Sequence, residues 1–160
     1  MTNVKNNIRP KHKILGRIYF LAYLIMLVYL LFFAEAFGRT ENPAGSRSYN
    51  LVPFKEIWRF YKYRHILGIQ AFIINVPGNI LAFIPFGFFI PIISKYKRSF
   101  IRTAFMGMLF SLSVEIIQFI VNVGSFDIDD IILNTLGCIM GYIMFLLADA
   151  VILKFKKMRR

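Results

Sequence analysis

The sequence predicts an all-α polytopic membrane protein, with four transmembrane helices and an amphipathic interfacial helix in the first connection. Three observations predict it. Of 160 residues, 58% are hydrophobic and 18% charged, whereas a soluble domain carries about 25% charged residues. Mean hydropathy is +0.59. Four apolar runs recur along the chain. Each is near the roughly 20 residues that a helix rising about 1.5 Å per residue needs to cross a hydrocarbon core about 30 Å thick.

The first run, residues 18–37, has no charge before Glu35. Its basic leader and the Ala34-Glu35-Ala36 triplet resemble a secretory signal. The run is longer than the roughly 7–15 residue core of such signals, so a retained helix is expected. The second run, residues 69–93, has no charged residue and is interrupted by Pro77, Pro85 and Pro91. Proline removes a backbone donor and bends a helix. Irregular backbone at membrane depth survives only inside protein or beside water. The element is therefore expected to be kinked or partly re-entrant, next to a wet cavity. The third run, residues 103–123, holds one charge, Glu115; the fourth, residues 131–153, holds only Asp149. One membrane domain over residues 1–160 accommodates all four.

The formal net charge is +12. The basic residues gather at the ends of the apolar runs, which suits anionic lipid headgroups and topology control rather than nucleic acid. Basic tails at 1–17 and 154–160, and a basic connection between the second and third runs, place both termini in the cytoplasm of a cell membrane by the positive-inside rule. The long first connection is then extracytoplasmic. In it Phe54, Ile57, Trp58, Tyr61 and His65 recur at helical spacing, which predicts a surface helix over about residues 53–66. Its cations Lys55, Arg59, Lys62 and Arg64 are candidates for lipid-headgroup contact. The single cysteine, Cys138, excludes an intrachain disulfide and any multi-cysteine metal site; it reads as a small buried side chain.

Ionisable groups inside a bilayer are costly, about 2.5–3.5 kcal/mol for an aspartate at a helix centre, so their placement carries information. On the third run Gly107, Ser111, Glu115, Gln118 and Asn122 follow three-four spacing and share one face. Asp127, Asp130, Asn134, Gly137 and Gly141 do the same along the fourth. Gly137 and Gly141 form a small-xxx-small pair that lets helices approach closely. A hairpin would bring the two stripes together. Asn75 and Asn79 add a third polar edge, and Glu35 ends the first run. The expectation is an outward-facing polar pocket, acidic at its rim.

Within it, Glu115 and Asp130 are the candidate catalytic groups. Glu35, Asn75, Asn79, Ser111, Gln118, Asn122, Asp127 and Asn134 are the candidate ligand-binding residues. Carboxylates in this number can hold a divalent cation through oxygen, with Glu115, Asp127 and Asp130 as its ligands. Asp127 and Asp130 also suit the positive N-terminal end of the fourth helix without any ligand, and Glu115 and Gln118 could be interhelical glue. Asp129 falls off the stripe and is expected to be solvated.

The quoted residues resemble the VanZ-like family of small bacterial membrane proteins. The resemblance lies in Asn50-Leu51-Val52-Pro53-Phe54, Gly78-Asn79-Ile80-Leu81-Ala82-Phe83-Ile84-Pro85-Phe86-Gly87, Ser113-Val114-Glu115-Ile116-Ile117-Gln118, Phe126-Asp127-Ile128-Asp129-Asp130 and Asn134-Thr135-Leu136-Gly137, with Gly141 after. It covers residues 19–145. Cys138 departs from it, since a second glycine often follows Gly137. The resemblance implies a role at the cell envelope linked to resistance to the glycopeptide teicoplanin, with no settled reaction. The expected function is binding or modifying an amphiphilic envelope molecule, such as a lipid-linked cell-wall precursor or glycolipid. The alternatives are a metal-assisted enzyme on a lipid-linked substrate and a small proton-coupled carrier using Glu115. Expected partners are membrane lipids, such a precursor or the glycopeptide itself, and a second copy of the chain.

Overall fold

The computed structural model describes residues 10–33, 48–94 and 99–158. Its order is α1 (Pro10–Phe33), β1 (Tyr49–Asn50), α2 (Lys55–Lys62), α3 (Arg64–Leu67), α4 (Ile69–Ile73), a π-helical turn (Ile74–Gly78), α5 (Asn79–Ile93), α6 (Phe100–Val121), β2 (Phe126–Asp127) and α7 (Ile128–Met158). Four stretches are long and apolar enough to cross a membrane: Ile14–Phe32, Ile69–Ile93, Phe100–Val121 and Ile128–Met158. Leu21, Ile25, Leu81, Ile101, Ile120 and Leu147 are among many apolar side chains left exposed. Water would penalise that surface, whereas lipid tails do not.

The ends of the spans follow local chemistry. Ser99 caps α6, its hydroxyl accepting from the Arg102 N–H at 3.4 Å. Asn122 ends the helix in the left-handed region, at φ 60°, and its N–H reaches the Gln118 carbonyl. Asparagine tolerates that conformation better than other side chains with a Cβ. Against the expected 103–123 and 131–153, α6 spans Phe100–Val121 and α7 Ile128–Met158, well past Leu153 into the basic tail; α1 begins ahead of the expected 18, and the expected end at 37 lies outside the described residues.

The proline-rich second run is helical through Pro85 and Pro91. Its irregularity is confined to the π turn at Pro77. Pro77 has no N–H for the carbonyl one turn back, so the ladder there lengthens to an i→i+5 pattern. The Asn75 side chain donates to the Ala71 carbonyl at 2.8 Å in the same region.

Helices α5 and α7 form the most extensive contact, α6 packs on α7, and α1 leans on α5. Glycine sets the separations. A Cβ on Gly137 would lie 2.2 Å from the Ile80 carbonyl oxygen, and one on Gly141 2.0 Å from that of Ile84. Gly87 answers from α5, where a Cβ would meet the Cys138 carbonyl oxygen at 1.9 Å. The Cys138 side chain fills the space left by Gly107 of α6, whose absent Cβ would sit 2.3 Å from its sulfur. The departure at position 138 is thus accommodated by a glycine on the facing helix.

The core holds Tyr23 and Leu27 of α1, Phe83, Phe86 and Ile90 of α5, and Cys138 of α7. Phe86 stacks on Phe110 of α6 with centroids 4.9 Å apart. The Tyr23 hydroxyl donates to the Ala82 carbonyl at 2.7 Å, which satisfies a phenol in an otherwise apolar seam.

Candidate functional site

The two polar stripes do face each other, at the end of the bundle where α6 stops and α7 begins. Ser111, Glu115, Gln118, Asp127 and Asn134 are all buried. The Asn134 side-chain amide donates to the Ser111 hydroxyl at 2.9 Å. One turn further along α6, the Glu115 carboxylate accepts the Asp127 backbone N–H at 2.8 Å. From α5, the Asn79 amide donates to the Asp130 carboxylate at 2.6 Å. The Gln118 amide reaches the Leu31 carbonyl of α1 at 2.8 Å. Every spanning helix therefore supplies at least one partner to these bonds.

A short parallel pairing closes the end of the bundle. β1 lies against β2 with Tyr49 opposite Phe126 and Asn50 opposite Asp127. The Phe126 N–H donates to the Ser48 carbonyl at 3.2 Å. The Asn50 amide donates to the Asp127 carboxylate at 2.9 Å, and the Asp129 N–H reaches the same oxygen, also at 2.9 Å. Asn50 in turn accepts the Val52 N–H at 3.2 Å. Burial pushes the Asp127 carboxyl above its ordinary pKa; the bonds from Asn50 and the Asp129 N–H act the other way, while the charges of Asp129 and Glu56 add to the rise.

Asp129 corrects the sequence-based expectation of a solvated carboxylate. It is 1% exposed. Its two oxygens accept three backbone N–H groups at the start of α2: Phe54 at 2.5 Å, Glu56 at 2.8 Å and Ile57 at 3.1 Å. No side chain of the local chain caps α2. A carboxylate from α7 takes that role and meets the positive end of the α2 dipole. Phe54 is held at φ 65°, a conformation costly for a residue with a Cβ. Asp129 lies off the stripe that faces α5 and α6, so three-four spacing does not mark it. The surface helix docks on another side of α7.

Other expected site residues fall elsewhere. Asn122 is exposed and serves as the C-cap of α6. Asn75 bonds within its own helix. Glu35 lies outside the described residues. The surface helix forms as two pieces, α2 and α3, broken at Tyr63. Its cations are largely engaged. Arg59 pairs with Glu56 at 2.5 Å, Arg64 lies 4.7 Å over the Tyr61 ring, and Lys62 lies 5.3 Å over that of Tyr63. Among the described residues, no three His, Cys, Asp or Glu side chains are grouped to hold a metal ion. The Glu115, Asp127 and Asp130 carboxylates are bound instead to amide donors. An open apolar cleft of about 440 Å³ lies on α1, lined by Leu24, Ile25, Val28 and Tyr29, and none of the carboxylates borders it.

Comparison with known proteins bears on this arrangement. The chain is 32% identical over 138 residues to the protein VanZ of Enterococcus faecium, an overlap covering 86% of this chain and 77% of that one. No solved structure matches. The profile of the VanZ/LLP1 family matches residues 20–149, which takes in every member of the network from Asn50 to Asn134, and the chain belongs to that family.

Proposed function

We propose that this VanZ-family membrane protein binds the headgroup of an amphiphilic envelope molecule, a lipid-linked cell-wall precursor or a glycolipid. The binding groups are Glu115, Asp130, Asn79, Gln118 and Asp127, at the outer face of the cell membrane. Teicoplanin resistance would follow from altered access of the glycopeptide to its lipid-linked target. One observation carries the reading: buried Glu115 and Gln118 of α6 and Asp127 and Asn134 at the start of α7 gather where α6 ends and α7 begins, joined there by the half-buried Asn79 of α5 and the Leu31 carbonyl of α1. Asp127 and Asp129 bond the segment whose two short helices carry Lys55, Arg59 and Lys62 on α2 and Arg64 on α3. A bilayer protein needing only helix association would do so more cheaply with small residues. Basic tails at the other end favour cytoplasmic termini, which puts the network on the side where cell-wall precursors are consumed.

The test is the level of teicoplanin resistance conferred on a susceptible host by the wild-type chain and by Glu115→Gln and Asp130→Asn. Both variants keep side-chain volume and one acceptor oxygen. Loss of resistance at unchanged membrane abundance is expected. Resistance equal to wild type in both, at equal abundance, would remove these groups from the function.

A further inference from the structure

Two of the buried carboxylates, Asp127 and Asp129, are bonded to one continuous segment, residues 48–67, and the way it is attached is unusual. Neither α2 nor α3 buries a side chain. Phe54, Trp58, Tyr61 and Ile66 are exposed. Apolar packing onto the bundle is modest, with Tyr61 and Phe72 of α4 in ring contact at 6.3 Å. Ile57 and Phe60 are half-buried, and the polar attachment comes from three positions on one short stretch. Phe126 donates to Ser48, Asp127 accepts from Asn50, and Asp129 accepts from the N–H groups of Phe54, Glu56 and Ile57.

At its far end the segment joins α4 through Gly68, at φ 89° with nothing within 4 Å of the Cβ it lacks. That is a backbone position with room to rotate and no side chain to clash. Few buried apolar contacts and reliance on backbone hydrogen bonds are the physical marks of a part that opens before the rest unfolds.

We propose that residues 48–67 are a lid over Asp127 and, through the Asp127 N–H that Glu115 accepts, over Glu115, hinged at Gly68 and latched by the Asp129 carboxylate. The latch is electrostatic: one buried carboxylate neutralises the free N–H groups at the start of α2 and holds Phe54 in its left-handed conformation. When the latch releases, Phe54 relaxes, β1 peels from β2, and the network opens toward the outer leaflet. The exposed aromatic face of α2 then has lipid interface to rest in. That a headgroup enters beneath the lid rests on the function proposed above; the lid and its latch do not.

Amide hydrogen exchange on the full chain in lipid nanodiscs tests the latch. In the wild-type protein, peptides from the lid should exchange faster than peptides from α5 and α7. Asp129→Ala should speed exchange in the lid by about tenfold or more, the loss of several charge-assisted bonds, with α5–α7 unchanged. Asp129→Asn, which keeps one acceptor, should fall between and covers the case in which the alanine variant does not fold. Lid protection equal to that of α7 in the wild type would overturn the proposal. So would acceleration spread evenly over the chain in both variants.

Passage beneath the lid is tested by Tyr49→Cys with Phe126→Cys, register neighbours across β1 and β2, in a Cys138→Ala background. With the disulfide formed, resistance should vanish and return on reduction. Resistance that persists with the bridge formed overturns entry beneath the lid. It leaves the Glu115→Gln result to judge the binding reading on its own.

Discussion

Replacing Gly141 by alanine should unseat α7 from α5. The new Cβ would lie 2.0 Å from the Ile84 carbonyl oxygen and 2.8 Å from the Phe88 nitrogen. Ordinary carbon contacts fall at about 3.5–4.0 Å, so the methyl intrudes by more than about 1 Å, and into backbone, which has no rotamer to change. Overpacking of this kind costs about 1–3 kcal/mol. A contact this close, on rigid atoms, belongs at the upper end. The better helix propensity of alanine returns up to about 1 kcal/mol. A net loss of about 2 kcal/mol remains, which in a chain of this size lowers the melting temperature by about 4–8 °C.

The assay is circular dichroism on heating the detergent-purified protein, with Gly16→Ala as control. At Gly16 the added Cβ meets only the Ile92 and Ile93 Cγ2 methyls, at 3.1 and 3.7 Å, a contact relieved by a shift of a few tenths of an ångström and involving no backbone atom. The control should melt at or slightly above the wild-type temperature. A Gly141→Ala protein that melts within about 1 °C of wild type would refute the seam described here, because so small a shift corresponds to well under 1 kcal/mol.

Two further outcomes are expected. Tyr23→Phe removes the phenol that donates to the Ala82 carbonyl and should cost about 1 kcal/mol; thermal unfolding beside the wild type checks it, and an unchanged midpoint would mean that this bond does not hold α1. Asp127 should make stability depend on pH. Its pKa is raised in the folded protein above the ordinary 3.8, so the fold binds this proton more tightly than the unfolded chain. That stabilisation is complete below 3.8 and is lost as pH rises through the raised folded value. Asp127→Asn keeps an acceptor for Asn50 and for the Asp129 N–H but cannot ionise. Its melting temperature should gain on the wild type as pH rises across that interval. A constant difference between the two proteins over the whole range would show that Asp127 does not titrate as its burial implies.

Much of this arrangement is legible in the sequence because lipid is a demanding solvent. In a run of Leu, Ile and Phe, a polar side chain at every third or fourth position must face protein, so the stripe from Ser111 to Gln118 announces its own orientation. The Gly137–Gly141 pair announces the close seam for the same reason. Legibility fails where local backbone decides. Pairing of two residues on each strand leaves no alternating pattern, and nothing marks Asn50 as the partner of Asp127 except proximity in the fold. Asn122 sits in register with the stripe, yet the helix ends there and turns it outward. Asp129 reads as a solvated first-turn residue until α2 is placed beside it. A carboxylate that caps a helix more than seventy residues earlier in the chain leaves no trace in local spacing.

The fit of Cys138 against Gly107 sets a rule for how this bundle can drift. The two side chains share a single volume between α6 and α7, so an addition on one helix must be matched by a subtraction on the other. A chain with glycine at 138 could carry alanine at 107 and keep the helices at the same distance, whereas alanine at 107 beside Cys138 would wedge them apart. The two positions are therefore sterically coupled. An engineer who grafts a glycine from a relative at 138 should expect to alter its counterpart in the same step.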